Sequence, residues 1–281
     1  MQRLSTTPSL AAVVLAAGKG TRMNSDLPKV AHVAAGRPLV DWVVRACRAA
    51  GAAPVVIVVG HRAEDVIRIF AADRRTAGDA SRREGAADGE IRFVTQTQQL
   101  GTGHAVQQAE GELDAAGVDD VLVLYGDGPL IRRETIETLV DRHRAAGAAA
   151  TLATAVLDDP GGYGRIVRDE RGAFRRIREQ RDADASELAI REVNPGYYCF
   201  RRRALFDALA RVGRGNAGGE IYLTDVFEIL LAEGETIEVV AAVPPDDVLS
   251  VNTPEQLRAV EGVLRRRGTE SALPVDGGAR A

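Results

Sequence analysis

The stretch Val13-Val14-Leu15-Ala16-Ala17-Gly18-Lys19-Gly20-Thr21-Arg22-Met23, running on to Leu27-Pro28-Lys29-Val30, decides how this chain is read. Its first part is continuously apolar rather than alternating, the pattern of a strand buried on both faces. The strand empties into a loop where Gly18 and Gly20 permit positive φ and a close approach of backbone to a ligand. Successive free N–H groups in such a loop form an anion-binding concavity. Arg22 and Lys29 add two cations, and Ala16 and Ala17 are small enough for a flat base to lie against the backbone. The spacing is not a Walker A loop, because no Gly-Lys-Ser/Thr closes a four-residue gap. Nor is it the dinucleotide fingerprint, because the third glycine is missing. The plain alternative is a tight β–α turn with solvated charges.

Outward from this stretch, apolar runs at Ala11–Ala16, Pro54–Gly60, Ile91–Thr95 and Val121–Tyr125 read as strands. Between them Leu39–Ala50, Arg62–Ala71, Gly103–Ala109 and Arg132–Ala146 carry helical spacing. Alternation of this kind implies βαβ units and an α/β, Rossmann-like, mainly parallel sheet flanked by helices. Such sheets bind ligands beyond the carboxyl ends of their strands. The second half changes rhythm. Strands are expected at Thr151–Leu157, Gly164–Arg168, Ala173–Arg178, Glu192–Arg201, Ile237–Val243 and Val248–Val251, with helices at Leu205–Val212 and Leu223–Ala232. This reads as a smaller mixed sub-sheet covering one end of the parallel core. Asp73–Glu90, without period, reads as a surface insertion, and Gly268–Ala281 as a disordered tail.

Composition narrows the function. The chain has 281 residues, 45% hydrophobic and 27% charged, with 36 Lys+Arg against 40 Asp+Glu and a net charge of −4. That is a globular composition without the basic footprint of a general nucleic-acid binder. An anionic substrate must therefore meet local cations or a metal. Cys47 and Cys199 cannot form a disulfide framework and fit a reducing compartment. No apolar run reaches the roughly 18–20 residues of a membrane span. Arg3 ahead of Leu10–Ala17 faintly imitates a signal peptide, but the run leads straight into the glycine loop, and the expected location is the cytoplasm.

The Gly18–Met23 loop and its continuation Ser25-Asp26-Leu27-Pro28-Lys29-Val30-Ala31-His32 resemble the signature of sugar-phosphate nucleotidylyltransferases. The match looks most like the uridyltransferase half of bifunctional N-acetylglucosamine-1-phosphate uridyltransferases. Four later stretches resemble the same family in the same order. They are Gln96-Thr97-Gln98-Gln99-Leu100-Gly101-Thr102-Gly103-His104-Ala105, Tyr125-Gly126-Asp127-Gly128-Pro129-Leu130, Gly162-Tyr163-Gly164-Arg165-Ile166 and Tyr222-Leu223-Thr224-Asp225. The resemblance spans about residues 10–266. It implies a nucleotidylyltransferase domain there, with residues 10–150 mainly nucleotide-binding and 151–252 mainly sugar-phosphate-binding, between an N-terminal extension (1–9) and the tail (267–281).

Residue types support several of these assignments directly. Gln96 follows the third strand, and its amide can pair with a donor and an acceptor on one pyrimidine edge. The resemblance implies uracil recognition by Gln96, Gly101 and Thr102. The resemblance also implies that Leu15, Ala16, Ala17, Gly18, Lys29, Tyr125, Gly126 and Asp127 lie along the nucleotide. Asp127, directly after a strand, is placed either to hold a divalent cation or to cap the following helix. Pro254 suits the first helical position, which makes Thr253 the N-cap and Gln256 its capping-box partner. Asn252 is then outside the cap, unless it caps instead. The resemblance gives Asp127 and Asn252 to Mg²⁺, and Gly164, Glu179, Asn194, Tyr222 and Thr224 to the sugar phosphate. Three positions depart from the family pattern: Gly128, the Gln180-Arg181 pair, and Pro195. Arg265-Arg266-Arg267 reads as the solvated end of a helix, and His61, His104, His143 and Cys47 as packing or supporting residues.

The implied reaction joins UTP to N-acetylglucosamine 1-phosphate, with Arg22 and Lys29 as the catalytic cations, and releases pyrophosphate. Turnover of another sugar 1-phosphate, or a nucleotide-sugar-binding module without turnover, are the alternatives. Only 29 residues follow Asn252. The acetyltransferase β-helix through which the bifunctional relatives trimerise is therefore not expected within this sequence. Neither nucleic acid nor membrane is an expected partner.

Overall fold

The computed structural model describes residues 8–71 and 90–272. Most of the expected insertion, residues 73–89, lies outside them, as do 1–7 and 273–281. Seven strands form the main sheet, in the order β11-β5-β10-β4-β1-β2-β3. They are β1 (Leu10–Ala16), β2 (Val55–Val59), β3 (Ile91–Thr95), β4 (Asp120–Tyr125), β5 (Ala150–Ala153), β10 (Tyr198–Arg201) and β11 (Ile237–Val240). Strand β1 is buried along its whole length and pairs in parallel on both sides, Val13 standing beside Val56 and Val123. Ala11, Val13 and Leu15 enter the core on one face of the sheet, and Ala12, Val14 and Ala16 the core on the other. That two-sided burial is why the stretch reads as an unbroken apolar run rather than as a signal peptide.

The chain builds β1, β2 and β3 in one direction across the sheet, then returns to place β4 on the other side of β1. The loops after β1 and β4 therefore diverge at a topological switch point, the position where open α/β sheets leave a crevice. Helices α1 (Leu39–Ala49), α2 (Ala63–Ile69), α3 (Thr102–Gln107), α4 (Glu110–Ala116) and α5 (Arg133–Ala146) connect these strands. Helix α4 lies beyond Ala109, where the helical spacing read from the sequence ends, and adds to the expected elements. Among the described residues no helix is long and apolar enough to cross a membrane.

Two segments that read as single strands each divide between two sheets. Thr151–Leu157 splits into the end of β5 and a short β6 (Ala155–Val156), and Glu192–Arg201 into β9 (Glu192–Asn194) and β10. Together with β7 (Gly164–Arg168) and β8 (Phe174–Arg178), β6 and β9 form a second sheet in the order β8-β7-β9-β6. Every pairing in it is antiparallel, which corrects the expectation of a mixed sub-sheet. The reason is continuity. Strands β5 and β10 already run antiparallel in the main sheet, so their extensions β6 and β9 do too. The crossing from β9 to β10 turns at Pro195-Gly196-Tyr197, where Pro cannot donate to a ladder and Gly196 adopts φ 85°. It is the main sheet that is mixed, β10 being the antiparallel member.

Further corrections concern helix ends. Leu205–Val212 is realised as α6 (Arg202–Leu209). Leu223–Ala232 begins as a 3₁₀ turn at Leu223–Asp225 before α7 (Val226–Ala232). Val248–Val251 forms no strand, because Pro244 and Pro245 start a 3₁₀ turn over Pro245–Val248. Helix α8 runs over Pro254–Ala272, so residues 268–272 are helical rather than part of a loose tail. A single Gly in a helix costs only about 1 kcal/mol, and Gly268 does not end it. The capping box at its start forms as the sequence implies. Gln256 N donates to Thr253 Oγ1 at 3.3 Å, and Thr253 N to Gln256 Oε1 at 3.1 Å.

The corner at Gly196 is testable. A Cβ there would lie 2.4 Å from the Tyr125 ring, in a φ that L-residues rarely adopt. Gly196→Ala is expected to lower unfolding free energy by roughly 2 kcal/mol or more, read as a lower urea midpoint at unchanged m-value.

Candidate active site

The crevice at the switch point contains two adjoining chambers. The first is lined by Leu15, Ala16, Ala17 and Gly18 from the end of β1, and by Gln96, Gly101 and Thr102 across from them. Gly20 takes φ 61°, and a Cβ on it would meet the Lys29 Cβ at 2.5 Å, so this glycine is what lets the loop pack against Lys29. Gly101 fills the same need on the other wall, where a Cβ would meet the Ile221 carbonyl at 2.5 Å. Gly126 lies behind the wall rather than on it, its N–H donating to the Leu15 carbonyl at 2.9 Å. Gln99, unassigned from sequence, donates to the Ala17 carbonyl at 3.0 Å and fixes the glycine loop to the third strand's turn.

Gln96 is buried, and its amide nitrogen lies 3.0 Å from both the Gly101 carbonyl and His104 Nδ1. With the nitrogen engaged, only the amide oxygen remains for a ligand. This narrows the two-way pairing expected from the residue type alone. His104 orients Gln96, which gives its supporting role a specific content.

The second chamber is lined by Gly164, Glu179, Asn194 and Tyr222, together with Tyr163, Arg181 and Tyr197. Thr102, Tyr125, Asp127 and Glu220 border both chambers. Thr224 lies behind the wall, donating from its hydroxyl to Glu179 Oε1 at 3.0 Å. Burial pushes the Glu179 carboxyl above the ordinary range, and the Thr224 hydrogen bond partly offsets this. Asn194 lines this chamber and also braces the corner between the two sheets. Its amide donates to the Tyr198 hydroxyl at 2.6 Å and its oxygen accepts from Gly196 N at 3.1 Å, which uses one of its two N–H donors and one of its two oxygen lone pairs. Arg181 stands 5.9 Å from the Tyr222 ring centre and donates to Glu220 at 3.2 Å.

Where the chambers meet, the Lys29 ammonium contacts Asp127 Oδ2 and donates to Asn252 Oδ1 at 2.8 Å. Arg22 donates to the same Asn252 oxygen at 2.9 Å. Thus one cationic group reaches both proposed metal ligands, and their oxygens face a common point. A carboxylate and an amide oxygen are hard donors of the kind Mg²⁺ takes, leaving its remaining positions to phosphates and water. Among the described residues no group of three or more His, Cys, Asp or Glu side chains could hold a metal by itself. Val251 N donates to the Asp127 carbonyl at 2.9 Å and joins the two ligand-bearing loops directly.

Residues 12–228 match the MobA-like NTP transferase domain. The chain belongs to this family. It is 46% identical over 259 residues to the bifunctional protein GlmU of Pelobacter propionicus, and 47% identical over 257 residues to that of Trichlorobacter lovleyi. Each alignment covers 92% of this chain but only 53% and 52% of the relative, so the chain spans about half the length of the curated relatives it matches. A Bacillus anthracis structure, provisionally named a glucose-1-phosphate thymidylyltransferase and bound to sucrose, superposes with a TM-score of 0.72 at 17% identity. That match covers 92% of this chain and 96% of the other, and supports the fold.

In this MobA-like NTP transferase, Tyr163 and Tyr197 are, with Gln99 and Glu220, among the site residues that sequence reasoning missed. The two tyrosine hydroxyls donate to the carbonyls of Val248 and Asp247 at 3.1 and 2.9 Å, which seats the rings against the Pro245–Val248 turn. Only the Gly-Tyr-Gly motif hinted at Tyr163; nothing local marks Tyr197. Arg267 is also reassigned. Rather than ending in solvent, it reaches Asp247 and the Leu130 carbonyl.

Asp225, beside the second chamber, gives a pH test. Burial and the negative charges of Glu228, Glu179 and Asp182 push its carboxyl up to about 6. Its ionised form is thus disfavoured in the folded state. Stability should fall as pH rises from the unfolded Asp value toward about 6, and the penalty should be complete above it. Asp225→Asn is expected to raise the thermal midpoint near pH 7.5 more than near pH 4.5. An equal change at both would remove this titration from the account.

Proposed function

We propose that the site transfers a uridylyl group from UTP to N-acetylglucosamine 1-phosphate, forming UDP-N-acetylglucosamine and pyrophosphate. The carrying observation is the convergence of Asp127, Asn252 and Lys29 at the junction of two chambers. The likeness to bifunctional GlmU proteins agrees with the sequence resemblance to uridyltransferase halves.

The nucleotide takes the first chamber. Gln96 offers only its oxygen, which accepts from a pyrimidine N3–H. Uracil has that hydrogen; cytosine presents a lone pair there. Apposing two acceptors in a buried site costs about 1–3 kcal/mol, so CTP should be used about 10- to 100-fold less efficiently than UTP. The sugar takes the second chamber, where Glu179 accepts from ring hydroxyls. Asn194, which lines the chamber and keeps one N–H and one oxygen lone pair, is suited to the acetamido group. A different sugar 1-phosphate is the second reading, favoured by Arg181 in that wall.

The attacking phosphate of a sugar 1-phosphate is largely ionised at neutral pH, its second pKa being about 6. No general base is required, and direct in-line attack needs no covalent enzyme intermediate. Asp127 and Asn252 would hold Mg²⁺, which supplies charge neutralisation between the two phosphates when bound. Lys29 and Arg22 are positioned to neutralise phosphate charge, and the walls orient the reactants. This division of labour suits a protein of net charge −4, whose positive potential is local.

The test is Mg²⁺-dependent pyrophosphate release from UTP with a panel of sugar 1-phosphates, in the cytoplasm-like reducing buffer suited to its thiols. Release is expected, highest with N-acetylglucosamine 1-phosphate. Absence of release with every sugar phosphate would leave a binding module. Asp127→Ala should lower turnover at least 10³-fold, on the order expected for losing a metal's transition-state charge. Near-normal turnover would remove Asp127 from the metal site. Gln96→Ala should narrow the preference for UTP over CTP.

A further inference from the structure

Among the described residues Asp247 is the most completely enclosed carboxylate, at 0% exposure, and it touches neither proposed chamber. Arg132 grips it with two hydrogen bonds, Nε to Oδ2 at 2.6 Å and Nη2 to Oδ1 at 3.1 Å. Arg267, from helix α8, reaches the same Oδ1 with Nη2 while its Nη1 donates to the Leu130 carbonyl at 2.9 Å. Burying a carboxylate is costly unless it is paired and hydrogen-bonded. Here the chain provides two guanidiniums, although one bidentate partner already satisfies the charge.

The position of these groups shows what the second guanidinium adds. Leu130 and Arg132 belong to the turn that begins at Asp127. Asp247 lies in the 3₁₀ turn just before Asn252. The fork of Arg267 spans both turns from behind, and the Val251 N–H to Asp127 carbonyl bond joins them in front. The Asp247 carbonyl also receives the Tyr197 hydroxyl at 2.9 Å, so the sugar-chamber wall hangs from the same turn. Two loops distant in sequence are thus joined by the Arg132–Asp247 pair, the Arg267 fork and the Val251–Asp127 bond, and the separation of the Asp127 and Asn252 oxygens follows from all three.

We propose that Arg267 is a positioning residue for the metal site: beside the Arg132–Asp247 pair it adds a second bridge between the two loops, through Asp247 and the Leu130 carbonyl, and this added bridge sets the spacing of Asp127 and Asn252. The inference rests on the assignment of Asp127 and Asn252 as metal ligands. It makes that pair depend on the far end of helix α8, which contributes no atom to the chambers. A planar fork serves this role because it donates to two acceptors at once in fixed geometry, which an ammonium does not.

The test compares wild type with Arg267→Met, Arg267→Lys and Arg265→Met. In Arg267→Met, Asp247 keeps its bidentate Arg132, so folding is expected with a modest fall in thermal midpoint. Arg265 is exposed on the same helix and pairs with Glu261, and its substitution controls for helix effects. Two readouts are taken: Mn²⁺ binding by electron paramagnetic resonance on the protein with UTP and no sugar phosphate, whose phosphates draw Lys29 off the two oxygens, and the free Mg²⁺ giving half-maximal pyrophosphate release. Arg267→Met should weaken Mn²⁺ binding and raise the half-saturating Mg²⁺ about 10-fold, with KM for UTP at saturating Mg²⁺ changed less than about twofold. Arg267→Lys should fall between, and Arg265→Met should match wild type. Unchanged metal dependence in a folded Arg267→Met, or an equal shift in Arg265→Met, would overturn the proposal. If wild type binds Mn²⁺ through Asp127 without transferring a uridylyl group, the binding readout still judges the clamp while the proposed reaction falls. If it binds no Mn²⁺ beyond that carried by UTP alone, both fall.

Discussion

Two side-chain oxygens that must face the same point, Asp127 Oδ2 and Asn252 Oδ1, are the constraint around which the functional half of this fold is arranged. One follows the strand beside β1 and the other precedes the last helix, so no local structure can bring them together. A carboxylate at a crevice floor is also costly to isolate from a counter-charge. Lys29 meets that need with its ammonium, and Arg22 adds a second donor to Asn252. The Asp127 charge is therefore met as it stands, and in the proposed reaction the same oxygens would be open to a divalent cation once phosphates draw the lysine toward themselves.

The main sheet supplies the floor for this cluster. Strand β1, buried on both faces, sets the register of β2 and β4, and the reversal of strand order beside it opens the crevice. The second sheet grows from the first by extension of β5 and β10 through a corner at Pro195-Gly196. This is why the two chambers share Tyr125: its ring packs against the Gly196 corner while its own loop leads to Asp127. In this arrangement the proposed nucleotide and sugar phosphates meet at the strand end, and the sugar chamber cannot shift without moving that ring.

Much of this was legible in the sequence because the informative residues are local. The apolar run into Gly18 and Gly20 marks β1 and its loop. Pro254 with Thr253 and Gln256 marks the start of α8 and frees Asn252. What was not legible depends on residues far apart in the chain. A strand that changes sheets has the same alternation as one that does not, so β5/β6 and β9/β10 read as single strands. Asn194 and Thr224 have side chains suited to a sugar, but their bracing bonds, to Tyr198 and Gly196 and to Glu179, come from residues the local sequence does not mark. Arg267 looks like one more solvated arginine until Asp247 is placed beneath it. Among the family's expected departures, Gly128 needs no special backbone: a Cβ there would have only ordinary contacts, the nearest at 3.5 Å from the Tyr197 hydroxyl.

The central claim is that Asp127 and Asn252 share one divalent cation at the junction of the chambers. The most direct measurement is a crystal structure with Mn²⁺ and UTP, located by the anomalous scattering of manganese. The account predicts a peak within coordination distance of both oxygens, at about 2.0–2.4 Å, with the Lys29 ammonium moved off Asp127 and onto phosphate. A peak bound only to the nucleotide's outer phosphates, with the Lys29–Asp127 ion pair intact, would contradict it.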